Sequence, residues 1–268
     1  MAPHGVCLPR PSRASMKDLE RYVERIVNSQ TTEEAFDAFC EAMRHHGYDR
    51  ITYSLVNDHP SLDLPSQHGL ATSYPEDWMK HYAQHNFSSI DPVTRQVLTK
   101  RTPFFWSDVT STLDRLSDSH RMMDQAADAG LGDGIGISLR GDGSKLVGVG
   151  IARSSLPGSG RNKRQDYNFL GDAYPLSTCL HETYRDLIIK SAKAAFSRRE
   201  HDILCWGAEG KTNEDISIIL NISTNTVRFH WKNILNKIGA NGRTYAIAKA
   251  IRQHIITPAS IRATYPKG

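Results

Sequence analysis

Tyr74, Trp78 and Tyr82 recur every four residues, so on a helix and its entry they share one side. Asp91 follows in the same apolar neighbourhood as Phe87 and Ile90, and Trp106 closes the run Phe104-Phe105-Trp106. Rings with polar tips around a single carboxylate can grip a neutral molecule, because apolar walls bury a chain while a few hydrogen bonds fix a polar head. Taken alone, an aromatic stripe is more often ordinary core. Farther on, Arg228, Lys232 and Asn236 also fall four apart. Their chemistry is different: Arg pairs bidentately with guanine O6 and N7, and Lys reaches the same base edge.

The second set needs a helix presented by a turn, and the local sequence supplies one. Thr212 is a natural N-cap, and Asp215 three positions later approximates a capping box. Ile216, Ile219 and Leu220 give that helix one apolar face. Asn221-Ile222-Ser223 is a polar turn, and Ser223 or Thr224 can cap the next helix, on which Val227, Trp231, Ile234, Leu235 and Ile238 form an inward stripe. Gly239 is placed to end it in a left-handed cap. Two short helices joined this way lay the second in a major groove. Lys211, Thr212, Thr224, Asn225, Thr226, Lys237 and Arg243 lie near helix ends and turns, where phosphate contacts are usual. Ser197 to Ala208 reads as a supporting helix and Arg243 to Ile255 as a fourth. Between residues 194 and 268 there are eleven Lys or Arg against five Asp or Glu, whereas the whole chain is only +4. A basic last quarter on a slightly acidic body is the footprint of a nucleic-acid reader.

The 268 residues suffice for two domains. No apolar run is long enough for a membrane span, and the first fifteen residues lack the apolar segment of a secretory signal, reading instead as a disordered leader. Cys7, Cys40, Cys179 and Cys205 form no CxxC pair, which suits free thiols in a reducing cytoplasm.

The ring set must be positioned by the first 190 residues. Met16 to Asn28 and Thr32 to His45 read as amphipathic helices, Tyr48 to Val56 as a strand, and Asn57 to Gly69 as a turn-rich mobile loop. Pro75 suits the first position of a helix running to Gln84. Pro92 to Leu98 is helical, Phe104 to Trp106 extended and Ser117 to Ala129 helical. Gly134 to Arg140 and Leu146 to Arg153 pair as a hairpin across Gly141-Asp142-Gly143. Asp166 to Lys190 is helical despite Pro175. The expected architecture is an α/β sandwich, an antiparallel sheet between helices, followed by an all-α four-helix helix-turn-helix domain.

The run from Phe196 to Ile251 resembles the C-terminal domain of the LuxR family of bacterial transcription regulators: Glu200, Leu204 and Gly210, with Val227, Asn233 and Ile234, match the family's pattern. Trp78, Tyr82, Asp91, Pro92, Trp106 and Gly134 match, in order and spacing, positions typical of its acyl-homoserine-lactone-binding domains. The resemblance thus covers about Met16 to Ile256. It implies a leader at 1–15, a lactone-binding domain at 16–189, a linker at 190–195, the DNA-binding domain at 196–256 and a tail at 257–268. It also implies roles. Trp78 would donate its indole N–H to the lactone carbonyl, Asp91 accept the ligand amide N–H, Tyr74 bind the acyl carbonyl, Trp106 pack over the lactone ring and Tyr82 line the acyl channel. Pro92 and Gly134 look structural. The expected partners are an N-acyl-homoserine lactone, an inverted-repeat promoter, a second copy of the chain and RNA polymerase, with no metal or other cofactor and no membrane. Relatives carry a Ser or Thr on the strand near Gly150 or Ile151, which this chain lacks.

The alternative reading is a family member that responds to a non-lactone small molecule. A phosphorylated response regulator would need a receiver's acidic pair, phosphoacceptor Asp and later Lys, which are not found in that order. Other motifs point to no catalysis. His181-Glu182-Thr183-Tyr184 lacks the second His of a zinc hydrolase, His81 and His85 lack a third ligand, Gly130 to Gly134 fails GxGxxG, and Gly158-Ser159-Gly160 is no nucleophile elbow. An enzyme is not expected.

Overall fold

Three segments alternate large with small: Ile51-Thr52-Tyr53-Ser54, Gly134-Ile135-Gly136-Ile137-Ser138 and Val147-Gly148-Val149-Gly150-Ile151-Ala152. In extended chain this puts bulky side chains on one face and small ones on the other. The computed structural model, which describes residues 13–57, 67–140, 146–154 and 163–257, is organised around that difference. The chain divides into two compact units, Met1–Tyr184 and Arg185–Gly268.

The first unit contains α1 (Arg13–Val27), α2 (Thr32–His45), β1 (Arg50–Asn57), β2 (Gln67–Thr72), α3 (Glu76–Gln84), α4 (Pro92–Thr99), β3 (Phe104–Phe105), α5 (Trp106–Thr110), α6 (Asp118–Ala126), β4 (Asp133–Arg140), β5 (Leu146–Arg153) and, as far as Tyr184, α7 (Lys163–Ala194). A 3-10 turn at Phe87–Ser89 precedes α4, and a wide π turn at Ala127–Leu131 follows α6. The strands form one antiparallel sheet in the order β2-β1-β5-β4-β3. Its bulky face (Ile51, Tyr53, Ile135, Ile137, Val149, Ile151) packs on Ile26, Phe39 and Met43 of α1 and α2 and on Leu176 and Leu180 of α7. Its other face meets α3 to α6 through a second apolar cluster that includes Trp78, Tyr82, Phe104, Trp106 and Met122. This is the α/β sandwich.

Several boundaries move. Residues 67–69, read as loop, belong to β2, an edge strand held by pairing with β1 (Thr52 to Thr72, Tyr53 to Ala71, then a register shift to Leu55 and Gln67). Nothing local in Gln67-His68-Gly69 announces a strand; the partner supplies the hydrogen bonds. Residues 58–66 of the expected loop, and the Gly141-Asp142-Gly143 turn, lie outside the described residues, as do residues 1–12 of the leader. The tail is described only to residue 257. Trp106 opens a helix instead of ending a strand. The helix expected to stop at Ala129 gives way after Ala126 to the π turn, whose Gly130 sits at φ +81°. The segment 190–195, read as linker, is helical as far as Ala194.

In the second unit, α8 (Arg198–Ala208), α9 (Asn213–Leu220), α10 (Thr224–Ile238) and α11 (Arg243–Arg252) enclose Ile203, Leu204, Ile216, Val227, Trp231, Ile234 and Ala246. The starts of α8, α9 and α10 are capped by side chains, whereas α11 follows Gly242 without one. Ser197 and Glu200 exchange hydrogen bonds with each other's backbone, as do Thr212 and Asp215, and Ser223 accepts from Thr226 N–H. Gly239 takes φ +65° and sends its N–H back to α10, the left-handed stop its position requires. Ile219 does not join the core as the helix period suggested; it is exposed, like Ile218.

Candidate ligand pocket and nucleic-acid interface

The small face of the sheet makes room for rings. A Cβ at Gly150 would lie 2.7 Å from the Tyr74 hydroxyl and 2.9 Å from Thr52 Cγ2; one at Gly134 would lie 3.0 Å from the Trp106 ring and 2.7 Å from Ile151 O; one at Gly136 would overlap the Phe104 ring. Three rings therefore lie where any other residue would project. Between them and α3, α4 and α6 remains a cavity of about 60 Å³. Tyr74, Trp78, Tyr82, Asp91 and Trp106 all line it, so the structure brings the whole ring-and-carboxylate set together. They are joined by Thr52 and Ser54 of β1 and by the apolar Val97, Met122, Met123 and Leu131. At ~10–15 Å³ for each water-sized group, the cavity holds about four to six such groups. Methionines are the side chains best able to yield to something larger.

Asp91 is the pivot. It is 6% exposed and serves as N-cap of α4, with Pro92 in the first helical position. Its Oδ1 accepts from Val93 N–H at 2.8 Å and Thr94 N–H at 3.1 Å, while Oδ2 accepts from the Tyr82 hydroxyl at 2.8 Å and the Thr94 hydroxyl at 2.8 Å. A carboxylate has about four acceptor sites, and here all are filled. Asp91, implied by the resemblance as acceptor of a ligand N–H, is therefore already satisfied by the protein's own donors. Tyr82, implied as a wall of an acyl channel, also holds Asp91 in place.

Burial, reinforced by the negative Asp91, pushes the phenols of Tyr74 and Tyr82 well above the usual tyrosine range, so both remain O–H donors. Tyr74 Oη makes no hydrogen bond among the described residues. The buried Trp106 Nε1 likewise has no acceptor there. The walls thus carry donors for carbonyl oxygens. Of the two positions compared with the relatives' hydroxyl, Ile151 faces the opposite core and Gly150 faces the pocket. Gly150 is directly paired with Thr52, whose buried hydroxyl lies 3.4 Å from that of Ser54.

In the second unit, Asn225, Arg228 and Lys232 of α10, and Lys211 ahead of α9, are exposed. The Arg228 guanidinium lies 3.9 Å from Glu214 and 3.5 Å from Asn225 Oδ1. Thr212 is occupied as the N-cap of α9, Thr224 Oγ1 lies 3.4 Å from Ser217 Oγ, and Thr226 bonds to Ser223. Two cations among the expected phosphate contacts are also committed internally. Lys237 Nζ is 2.6 Å from Glu200 Oε2. Burial opposes the Glu200 charge, but Lys237 and the Ser197 N–H outweigh it and hold the carboxyl below its usual range. Arg243 stacks on Trp231 at 4.6 Å and donates to Lys211 O and Asn213 Oδ1, tying α11 to the start of α9.

Residues 31–182 match the model of the autoinducer binding domain, and residues 194–250 match that of the bacterial regulatory proteins of the luxR family. The chain is 37% identical over 188 residues to the quorum-sensing-dependent transcriptional regulator RpaR of Rhodopseudomonas palustris, covering 70% of this chain and 74% of that one. The chain belongs to the LuxR family of quorum-sensing transcription regulators. A crystal structure of the Escherichia coli family member SdiA superposes with a TM-score of 0.64 at 26% identity, covering 91% of this chain and 99% of SdiA. SdiA in complex with octanoyl-rac-glycerol gives 0.63 at 23% identity, covering 93% and 99%.

The LuxR-type pocket has three polar members beyond the set expected from the sequence, Thr52, Ser54 and Thr94, besides its apolar walls. Thr94 had a signal, since Asp-Pro-x-Thr is a helix start whose hydroxyl can return to the cap. Thr52 and Ser54 had one too, as two polar residues at period two within a strand whose alternate positions are Ile and Tyr. Among the described residues no group of three His, Cys, Asp or Glu side chains could hold a metal. His181 Nδ1 instead lies 2.8 Å from the Tyr53 hydroxyl.

Proposed function

We propose that this LuxR-family regulator binds an N-acyl-homoserine lactone in its N-terminal unit and, as a homodimer, an inverted-repeat promoter site through two copies of α10. The observation that carries the ligand reading is the pocket lining itself: the polar-tipped Tyr74, Trp78, Trp106 and Asp91 together with the apolar Val97, Met122, Met123 and Leu131. Carbonyl oxygens of the lactone and amide accept from the phenol and indole donors. The ligand N–H meets Asp91 by displacing or sharing the Thr94 or Tyr82 hydroxyl. The acyl chain extends toward the methionines, which move aside. A ligand that binds only the folded state adds about 2.7 kcal/mol of stability at a hundredfold excess over Kd.

On the DNA side, Lys211 and the capped starts of α9 and α10 meet phosphates, while Arg228 and Lys232 meet base edges. The dimer places its two helices ~34–36 Å apart, one turn of DNA. Such a protein acts in the cytoplasm, activates by meeting RNA polymerase and catalyses no reaction.

A non-lactone acyl ligand is the second reading, and Asp91 favours it: with all four acceptor sites filled, the site does not demand a ligand N–H. A solved structure of SdiA, a relative, is in complex with octanoyl-rac-glycerol, an acylated polyol without an amide. The test is the melting midpoint of the purified chain with lactones of short, medium and long acyl chain, and with the matching acylglycerols. A rise with one lactone length supports the first reading. A rise with acylglycerols alone supports the second, and no rise with either removes both.

A further inference from the structure

Phe229 is 60% exposed, in the middle of a helix whose neighbouring surface is basic and polar. Asn225, Phe229, Lys232 and Asn236 follow one another at steps of four, three and four, so they share the outward face of α10, and all four are exposed. The inward face is independently occupied by Val227, Trp231, Ile234 and Ile238. No requirement of the core places a phenyl ring at this position. His230 is its ring neighbour, with centroids 5.8 Å apart.

The outward face is asymmetric. On the Arg228 side it opens into a groove shared by Arg228, Lys232 and Arg243, with Asn213 and Asn236. Phe229 projects on the other side of the Asn225–Lys232 line. A helix laid in the major groove with its cations toward guanine edges and phosphates carries this ring into the groove floor. There the base edges offer mostly hydrogen-bonding groups, and the 5-methyl of thymine is the largest apolar feature among them.

We propose that Phe229 is a specificity-determining residue that reads a thymine by burying its 5-methyl group, so that an A·T pair of fixed position belongs to each half-site. This rests on the reading of α10 as the DNA-contacting helix. Charge complementarity makes DNA the occupant of this face: the ring is flanked by Arg228 and Lys232, which suit a polyanion.

The test removes one methyl at a time. The full chain selects its site from random duplexes, with and without the same series of lactones, and the selected site is remade with each thymine in turn replaced by uracil. One uracil per half-site should weaken binding about fourfold, the value of one buried methyl, at fixed salt. Phe229→Ala should bind thymine and uracil versions equally, with an unchanged melting midpoint because the ring is exposed. Phe229→Leu should keep the discrimination. Wild-type indifference to uracil at every thymine overturns the proposal, as does a Phe229→Ala variant that keeps the discrimination. Failure to select any duplex under any condition would instead sink the DNA reading on which it rests.

Discussion

Replacing Asp91 with Asn separates a ligand-binding role from a structural one. Asn is a competent N-cap, and its remaining oxygen can still accept from Val93 and Thr94 N–H. The amide nitrogen in place of Oδ2 cannot accept, so the hydroxyls of Tyr82 and Thr94, both at 2.8 Å, must turn and accept instead. Two charge-assisted bonds at about 1.5–3 kcal/mol each give way to neutral bonds at about 1 kcal/mol, a net loss of about 1–4 kcal/mol. At ~2–4 °C per kcal/mol for a domain of this size, the ligand-free midpoint should fall by about 2–16 °C, with the centre of that range most expected. Scanning calorimetry of the ligand-free chain measures it. Thr94→Val should cost part of the same amount, and Asp91→Asn combined with Tyr82→Phe should fall short of additivity, because the two share a bond. A ligand-free midpoint within a degree of wild type would refute the reasoning, since it would mean that the charge on the two hydroxyl bonds to Oδ2 contributes nothing to the fold.

Three further outcomes follow from named contacts. Gly150→Ala puts a Cβ 2.7 Å from the Tyr74 hydroxyl and should cost about 1–3 kcal/mol as overpacking while abolishing any ligand-induced rise in midpoint; adding Tyr74→Phe should recover part of the stability, and no recovery would place the clash elsewhere. Arg228→Ala should relax preference at one base pair by about 1–3 kcal/mol, and an unaltered selected site would remove Arg228 from the reading set. Because the folded Glu200 carboxyl lies below its unfolded value of about 4.3, its contribution is present above that pH and is lost as pH falls through the folded value. Lys237→Met should therefore flatten the acid limb of the second unit's stability, whereas a wild-type slope in the variant would show that the pair is not its source.

Most helices could be read directly from residue order. Caps such as Thr212 with Asp215, the stop at Gly239 and the inward stripe of α10 depend on neighbours within a turn or two, and the structure places them as the spacing indicates. Position-specific chemistry read less well. Lys237 and Arg243 are cations near helix ends, but their partners, Glu200 and Trp231, are 37 and 12 residues away, and nothing in the local pattern shows that they are taken. Asp91 was recognisable as important, yet the donor from Tyr82 that helps saturate it arrives from a different helix.

By itself the sequence determined the partner class of the second unit and the period-two contrast between glycine and branched residues, since both are set by short-range geometry: a capped helix pair, and side chains alternating across extended chain. Tertiary structure decided the rest. Long-range pairing made a strand of Gln67–Thr72 and turned the small faces of β1, β4 and β5 toward the same helices. Where those faces leave room, the rings of Tyr74 and Trp106 sit against glycine beside a cavity enclosed by the sheet and the helices over it. A single strand can encode smallness at every second position, but a cavity requires three strands in register and the helices that close over them.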